Sequence, residues 1–121
     1  RDYVLDLLGP GREVHNLTVG DGWNYGEDPE MYPIDVGRMR RVIERATEEA
    51  GWGKERAKGR GLGLAFHHSF VSYTAVVFDV AVDDGGQVTI HRAAMACDCG
   101  PQANPQRIRP QIARPAATGV G

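Results

Sequence analysis

The sequence has few of the features that mark common functional classes. Only two of its 121 residues are cysteines, Cys97 and Cys99, and they lie two positions apart. Two cysteines this close cannot easily form a low-strain disulfide within one strand, and a zinc site needs more ligands. No apolar run approaches the 18 residues that a transmembrane helix needs. We therefore expect neither a disulfide framework nor a membrane span.

Strong charge and the usual catalytic motifs are also missing. The formal net charge is −2, whereas nucleic-acid-binding domains are usually strongly basic, so no nucleic-acid partner is expected. His67 and His68 are neighbours on a predicted strand and should point to opposite faces, so they cannot readily chelate one ion. No serine lies in a nucleophile elbow. The run from Gly59 to Gly63 resembles half of a phosphate loop, but it leads into a strand, so we predict only a close backbone approach there.

What the chain does contain is typical of one small globular domain. Hydrophobic residues make up 41% of the sequence and charged residues 25%, enough for a modest core. Glycine is abundant, at 16 residues, and clusters in positions 9–11, 20–26 and 51–63, which we predict to be loops. Abundant glycine with few apolar runs indicates a domain that relies on neighbouring structure for part of its burial.

The clearest predicted element is a helix over Val36–Ala50. Asp35 is a plausible N-cap, and Gly51 is suited to end the helix. A shorter helix is predicted over Asp2–Leu8, and residues 12–33 are expected to be irregular. The apolar face of the main helix repeats at steps of three and four residues and comprises Val36, Met39, Val42, Ile43, Ala46 and Ala50.

The second half of the chain predicts β-structure. Gly61–Val82 is expected to be extended, with two-residue alternation in its second half, and Asp83–Gly86 is a strong hairpin turn. Gln87–Ala96 should return antiparallel with Val88 and Ile90 facing inward. The predicted fold class is therefore α+β, an antiparallel hairpin or small sheet packed on one main helix.

The most informative segment follows the last strand. It contains Ala96-Cys97-Asp98-Cys99-Gly100, then Asn104-Pro105 as a predicted helix start, then Gln111-Ile112. This pattern resembles the large, molybdopterin-binding subunit of the xanthine dehydrogenase and aldehyde oxidase superfamily, and within it the bacterial branch called isoquinoline 1-oxidoreductase beta subunit. Other segments that resemble this branch are Arg1–Leu5, Leu7–Pro10, Trp23–Gly26, Tyr32–Asp35, Ala50–Gly53 and Lys58–Gly63.

The resemblance covers residues 1–113, which would form a partial molybdopterin-binding domain. The family continues after the glutamine motif with an acidic residue and a glycine-rich run, whereas residues 114–121 are atypical and are expected to be a disordered tail. We therefore expect the chain to be a piece of a longer subunit. An export signal would lie upstream of Arg1, so the resemblance allows either a cytoplasmic or a periplasmic location.

The resemblance implies three cofactor-binding residues. Gln111 would reach the pterin–molybdenum centre near its oxo ligand, since an amide can donate without adding charge to an anionic group. Asp98 and Gly100 would follow the strand and contact the cofactor. The residues themselves also allow a structural interpretation, in which Asp98 forms an Asx-type turn, Gly100 supplies a positive φ, and Gln111 is exposed on a frayed helix.

The activity that the resemblance implies is hydroxylation of an N-heteroaromatic ring or an aldehyde with oxygen from water. The cofactor would be a molybdenum–pterin group in its cytosine dinucleotide form. Electrons would leave through two 2Fe-2S clusters of a small iron–sulfur partner subunit. The family's catalytic glutamate lies in a later glycine-rich motif that is missing from this sequence. We therefore expect this chain alone to be inactive, without catalytic or metal-ligating residues of its own, and without tight cofactor binding.

Two alternatives from other classes remain open. In the first, the chain is a stand-alone protein-interaction domain whose loop aromatics Trp23, Tyr25 and Tyr32 dock a partner. In the second, it is a small metal-binding domain that uses Cys97, Cys99 and a histidine.

Overall fold

The computed structural model describes residues 1–15 and 28–102 together with Gln106 and Pro110. These residues form an α+β domain with two helices and two small antiparallel sheets, which confirms the predicted fold class. No helix in the described ranges is long and apolar enough to cross a membrane. In chain order the elements are α1 (Asp2–Leu8), β1 (Glu13–Val14), β2 (Ile34–Asp35), α2 (Val36–Glu49), β3 (Arg60–Ser69), β4 (Ser72–Val82) and β5 (Val88–Asp98).

Helix α2 begins and ends as its sequence predicts. The Asp35 side chain accepts a hydrogen bond from the backbone N–H of Arg38, which satisfies one of the free donors of the first turn. The last helical residue is Glu49, and Ala50 is the C-cap. Gly51 follows with φ +68°, a left-handed conformation that glycine adopts without steric cost.

The segment 12–33, predicted to be irregular, contributes one strand, β1, to a small sheet, and the partner strand β2 follows directly after the segment. β1 and β2 pair antiparallel, with Glu13 opposite Asp35 and Val14 opposite Ile34. Two-residue strands leave too short a pattern for recognition from sequence. Residues 16–27, including the loop aromatics Trp23 and Tyr25, lie outside the described part of the chain.

The main sheet has three antiparallel strands in the order β3-β4-β5. The prediction of one continuous extended segment over Gly61–Val82 is wrong, because the chain reverses at Phe70-Val71. Both turn residues have positive φ, 48° for Phe70 and 60° for Val71. Hairpin turns of this kind usually contain glycine or asparagine, so Phe-Val gives no turn signal in the sequence.

A β-bulge interrupts the pairing of β4 with β5. Asp79 lies opposite Arg92, but its neighbour Val80 lies opposite Ile90, so His91 is an extra residue on β5. An extra residue shifts the strand's alternation by one position. The alternation of inward and outward side chains along β5 therefore changes by one position at the bulge.

The bulge explains why the predicted orientation of the first part of β5 is wrong. Val88 and Ile90 were expected to face inward, but they pair with Val82 and Val80 on the face away from α2. Val88 is 55% exposed. The residue of β5 that is fully buried is Ala94, beyond the bulge.

The hydrophobic core lies between α2 and the sheet. The predicted alternation in β4 is confirmed, since Tyr73, Ala75 and Val77 face α2 and are buried. Their partners from α2 in the same buried cluster are Met39, Val42, Ile43 and Ala46. Burying a side chain such as Ile43 contributes about 1.5–3 kcal/mol. Trp52, which follows Gly51, packs against this cluster.

Candidate functional site

The segment singled out by the sequence begins at one end of the main sheet. β5 ends at Asp98, directly opposite Tyr73 near the start of β4. The first turn of α2 reaches the same place, because Arg38 contacts Asp98. Two strands and a helix N-terminus therefore converge where the Asp98–Gly100 turn starts. We call this region the Asp98 end of the sheet.

Arg38 and Asp98 form a two-pronged ion pair across 60 residues of sequence. Nε of Arg38 donates to Oδ2 at 2.9 Å, and Nη2 donates to Oδ1 at 2.7 Å. Nη2 also donates to the backbone carbonyl oxygen of Asp98 at 3.3 Å. The planar guanidinium matches the carboxylate with two parallel hydrogen bonds, which fixes orientation as well as distance. The pair thus holds both the side chain and the backbone at the end of β5.

The pair strongly favours the ionised form of both groups. The hydrogen bonds from Arg38 are the largest cause that lowers the pKa of Asp98 to about 2, with further help from the Gly100 N–H. The same contact raises the pKa of Arg38. Asp98 is therefore a carboxylate at any physiological pH, and its charge is neutralised by its partner.

The Asp98–Gly100 turn has the structure that the residues predict. The N–H of Gly100 donates to Oδ1 of Asp98 at 3.1 Å, which closes an Asx-type turn. Gly100 has φ +75°, a conformation that L side chains rarely adopt. The space beside Gly100 is open, since a Cβ built there would meet no atom of the described residues within 4 Å. A neighbouring group could therefore approach the backbone closely at this position.

Tyr73 forms the floor of the Asp98 end. Its side chain is fully buried, and its hydroxyl accepts a hydrogen bond from the backbone N–H of Asp35 at 2.7 Å. The Arg38 guanidinium lies 4.5 Å above the ring centre, within range of a cation–π interaction. The His68 ring lies 4.7 Å from the Tyr73 ring, tilted by 40°. Burial is the main cause that raises the pKa of Tyr73 and lowers the pKa of His68, so both rings favour their neutral forms.

Sequence reasoning missed Arg38, which is not part of the predicted apolar face of the main helix. One signal was available. Arg38 lies in the first turn of α2, where the helix dipole disfavours a cation. An arginine at such a position suggests an anionic partner elsewhere in the chain. The sequence does not say that this partner is Asp98.

Cys97 and Cys99 are both free thiols and partly buried. The Thr74 hydroxyl donates to Sγ of Cys97 at 3.6 Å. Burial is the main cause that raises the pKa of Cys97, which disfavours the reactive thiolate. Among the described residues, no group of three His, Cys, Asp or Glu side chains could hold a metal ion. The structure therefore gives no support to the metal-binding alternative.

Gly59 makes the close backbone approach predicted for the glycine-rich run before β3. Its φ is +80°, and a Cβ built there would lie only 2.7 Å from the carbonyl oxygen of Val82. The N–H of Val82 donates to the Gly59 carbonyl at 2.8 Å. Gly59 therefore lies against the end of β4, and its lack of a side chain permits this close packing.

Several predicted features lie outside the described residues. They include the predicted cofactor contact Gln111, the predicted helix start Asn104-Pro105 and the tail at 114–121. Of the three predicted interface aromatics, only Tyr32 is described, and it is exposed. Of the three predicted cofactor-binding residues, the structure thus brings Asp98 and Gly100 together and does not locate Gln111.

Comparison of the chain with protein-family models, curated proteins and solved structures finds no match.

Proposed function

We propose that this chain is part of the large subunit of a molybdenum hydroxylase and is inactive by itself. The observation that carries this proposal is the hydrogen-bonded turn Asp98–Gly100 at the end of β5. In the sequence this turn precedes Asn104-Pro105 and Gln111, which belong to the motif that resembles the family. The complete enzyme would oxidise an N-heteroaromatic or aldehyde substrate with oxygen taken from water.

The residues at the Asp98 end suit a cofactor that carries negative charge. An unpaired carboxylate would repel an anionic pterin phosphate, but the charge of Asp98 is neutralised by Arg38. Gly100 has no side chain, and no atom of the described residues lies within 4 Å of the position that a Cβ would take, so the backbone can approach a bulky group. These two features support a role for the turn in binding the molybdenum–pterin cofactor. We propose that this cofactor is the cytosine dinucleotide form.

The described residues provide positioning, and the chemistry comes from elsewhere. When bound, the molybdenum centre would supply the water-derived oxygen and accept the substrate's electrons. Gln111 would donate its amide N–H to an oxygen of the cofactor without adding charge. A catalytic glutamate would come from another part of the large subunit, and a small iron–sulfur subunit would carry electrons away.

The first test is the gene sequence on both sides of this segment. The proposal predicts a reading frame that continues past Ile112 into a glycine-rich run and later a glycine-flanked glutamate. A reading frame that ends near Gly121 would contradict the proposal and would favour the protein-interaction alternative. That alternative would then be tested by capture of a partner protein through Tyr32 and the neighbouring residues.

The second test is the metal content of the complete subunit purified with its iron–sulfur partner. We expect about one molybdenum per large subunit, and we expect Gln111→Ala to lower that content or the turnover by at least about tenfold. Gln87→Ala, in the exposed turn at the other end of the sheet, is the matched control and should change neither. A wild-type complex without molybdenum would refute the proposal.

A further inference from the structure

Arg38 organises the turn that precedes the Gln111 segment. Its guanidinium contacts three acceptor atoms of one residue, the two carboxylate oxygens and the backbone carbonyl oxygen of Asp98. One of these oxygens, Oδ1, also accepts the N–H of Gly100. A single side chain on α2 therefore fixes the side chain of Asp98 and, through it, the backbone two residues further on.

Arg38 is itself held from two sides. Its backbone N–H donates to the Asp35 carboxylate at the helix N-cap, and its guanidinium lies over the Tyr73 ring. The N–H of Asp35 in turn donates to the Tyr73 hydroxyl. Asp35, Tyr73 and Arg38 therefore contact one another in a closed network, to which Asp98 is joined through Arg38. Networks of this kind, when every member has a partner, hold their members in one arrangement.

We propose that Arg38 is a positioning residue that fixes the Asp98–Gly100 turn in the arrangement needed to hold the cofactor. This inference rests on the proposed function, because the purpose of the arrangement is to present the cofactor-binding segment. Arg38 does not touch the cofactor in this proposal; it acts through Asp98. A lysine could keep the positive charge but could not make the two parallel hydrogen bonds, so the proposal depends on the guanidinium geometry.

The first experiment uses the 121-residue chain and needs no cofactor. Arg38→Lys and Arg38→Gln are compared with the same changes at Arg45, which lies on the same helix and pairs with Glu48 in an exposed contact at 3.1 Å. Hydrogen exchange of the Gly100 amide is measured by NMR. We expect exchange to accelerate by about tenfold or more in both Arg38 variants and to stay unchanged in the Arg45 variants.

The titration of Asp98, followed by NMR at its carboxyl carbon, gives a second readout. This titration would not change if Arg38 only contributed to packing of the core. In Arg38→Lys the Asp98 titration should move up towards the ordinary range, while the cooperative unfolding transition is retained. If Arg38→Gln fails to fold, Arg38→Lys and Asp98→Asn decide the result. Gly100 exchange that stays within about twofold of wild type in Arg38→Lys would overturn the proposal.

The second experiment uses the complete subunit with its iron–sulfur partner. Arg38→Lys should lower the molybdenum content or kcat by about tenfold, and Arg45→Lys should not. Equal molybdenum content and turnover in wild type and Arg38→Lys would overturn the positioning role. A wild-type complex without molybdenum would instead refute the proposed function, and the Gly100 measurement would still decide whether Arg38 holds the turn.

Discussion

The two ends of the three-stranded sheet are built differently. At the Asp98 end, Tyr73 is fully buried and is covered by the first turn of α2. At the opposite end, which we call the Val88 end, the paired residues Val82 and Val88 are 45% and 55% exposed. The α2 side of the sheet is thus packed at the Asp98 end, whereas the side away from α2 is open at the Val88 end. The polar network lies at the packed end, next to the segment for which we propose a function.

The two hairpin turns differ in how well their residues fit the backbone conformation. The turn at the Val88 end uses the Asp83 carboxylate, which accepts the N–H groups of Gly85 and Gln87, and Gly86 has φ +82°. The turn at the Asp98 end places Phe70 and Val71 in left-handed conformations, which are unfavourable for aromatic and β-branched residues. Such strain persists only where surrounding contacts determine the conformation. The turn at the Asp98 end is therefore the one whose sequence fits its backbone conformation less well.

The largest difference between the two ends should appear on removal of their side chains. Tyr73→Ala should lower the free energy of unfolding by about 3–5 kcal/mol, because it empties a fully buried site. Val88→Ala should cost less than about 1 kcal/mol, because Val88 is already half exposed. Urea denaturation of both variants checks this prediction. Equal losses would show that the two ends do not differ in packing.

The next effect concerns the ion pairs. Arg38→Gln should lower the free energy of unfolding by about 1–3 kcal/mol, because it leaves the partly buried Asp98 carboxylate without its charged partner. Arg92→Gln removes an exposed pair with Glu49 and should cost no more than about 1 kcal/mol. The same denaturation experiment measures both, and a larger loss for Arg92→Gln would contradict the comparison.

Acid should weaken the Asp98 end through its carboxylate. The pKa of Asp98 is lowered from 3.8 to about 2 in the folded chain, so folding favours the ionised form. This contribution is fully present above about pH 4 and is lost as the pH falls through the folded pKa near 2. It is on the order of 1–2 kcal/mol after allowance for solvent screening. Asp98→Asn should remove this part of the pH dependence in unfolding curves recorded between these limits; an unchanged dependence would show that Asp98 is not the group responsible.

The smallest predicted effect has the opposite sign. Replacement of Phe70-Val71 by Asn-Gly should raise the free energy of unfolding by about 1 kcal/mol, because both new residues tolerate positive φ. Gly86→Ala at the other turn should lower it by about 1 kcal/mol, since alanine is strained at φ +82°. Thermal unfolding of the two variants would show the contrast. A destabilised Asn-Gly variant would mean that the Phe70 and Val71 side chains contribute more than their conformation costs.

The sequence predicts the elements whose signals are local. The cap at Asp35, the apolar face of α2 and the Asp83–Gly86 turn each follow from residues within a few positions of one another, and the structure confirms all three. The Asp98–Gly100 turn belongs to the same group because its hydrogen bond spans two residues. Such features depend on backbone conformation and periodicity, which short stretches of sequence encode.

The features that the sequence did not predict either lack a typical residue pattern or depend on contacts between residues far apart in the sequence. Phe70-Val71 lacks the usual turn residues, and the bulge at His91 has no composition of its own. The pairing of Arg38 with Asp98 joins residues 60 positions apart, so only the folded arrangement of α2 and β5 reveals it. The same limit explains why sequence reasoning found the turn but not the arginine that holds it.

The most direct test of the account compares two matched turns in the wild-type chain. Gly100 and Gly85 each donate their N–H to the carboxylate of an aspartate two residues earlier, at 3.1 Å and 2.9 Å. Of these two aspartates, Asp98 is the one whose carboxylate also pairs with an arginine from α2. Hydrogen exchange should therefore be at least about tenfold slower at Gly100 than at Gly85, after correction for intrinsic rates. Equal rates, or faster exchange at Gly100, would contradict the claim that Arg38 fixes the end of β5.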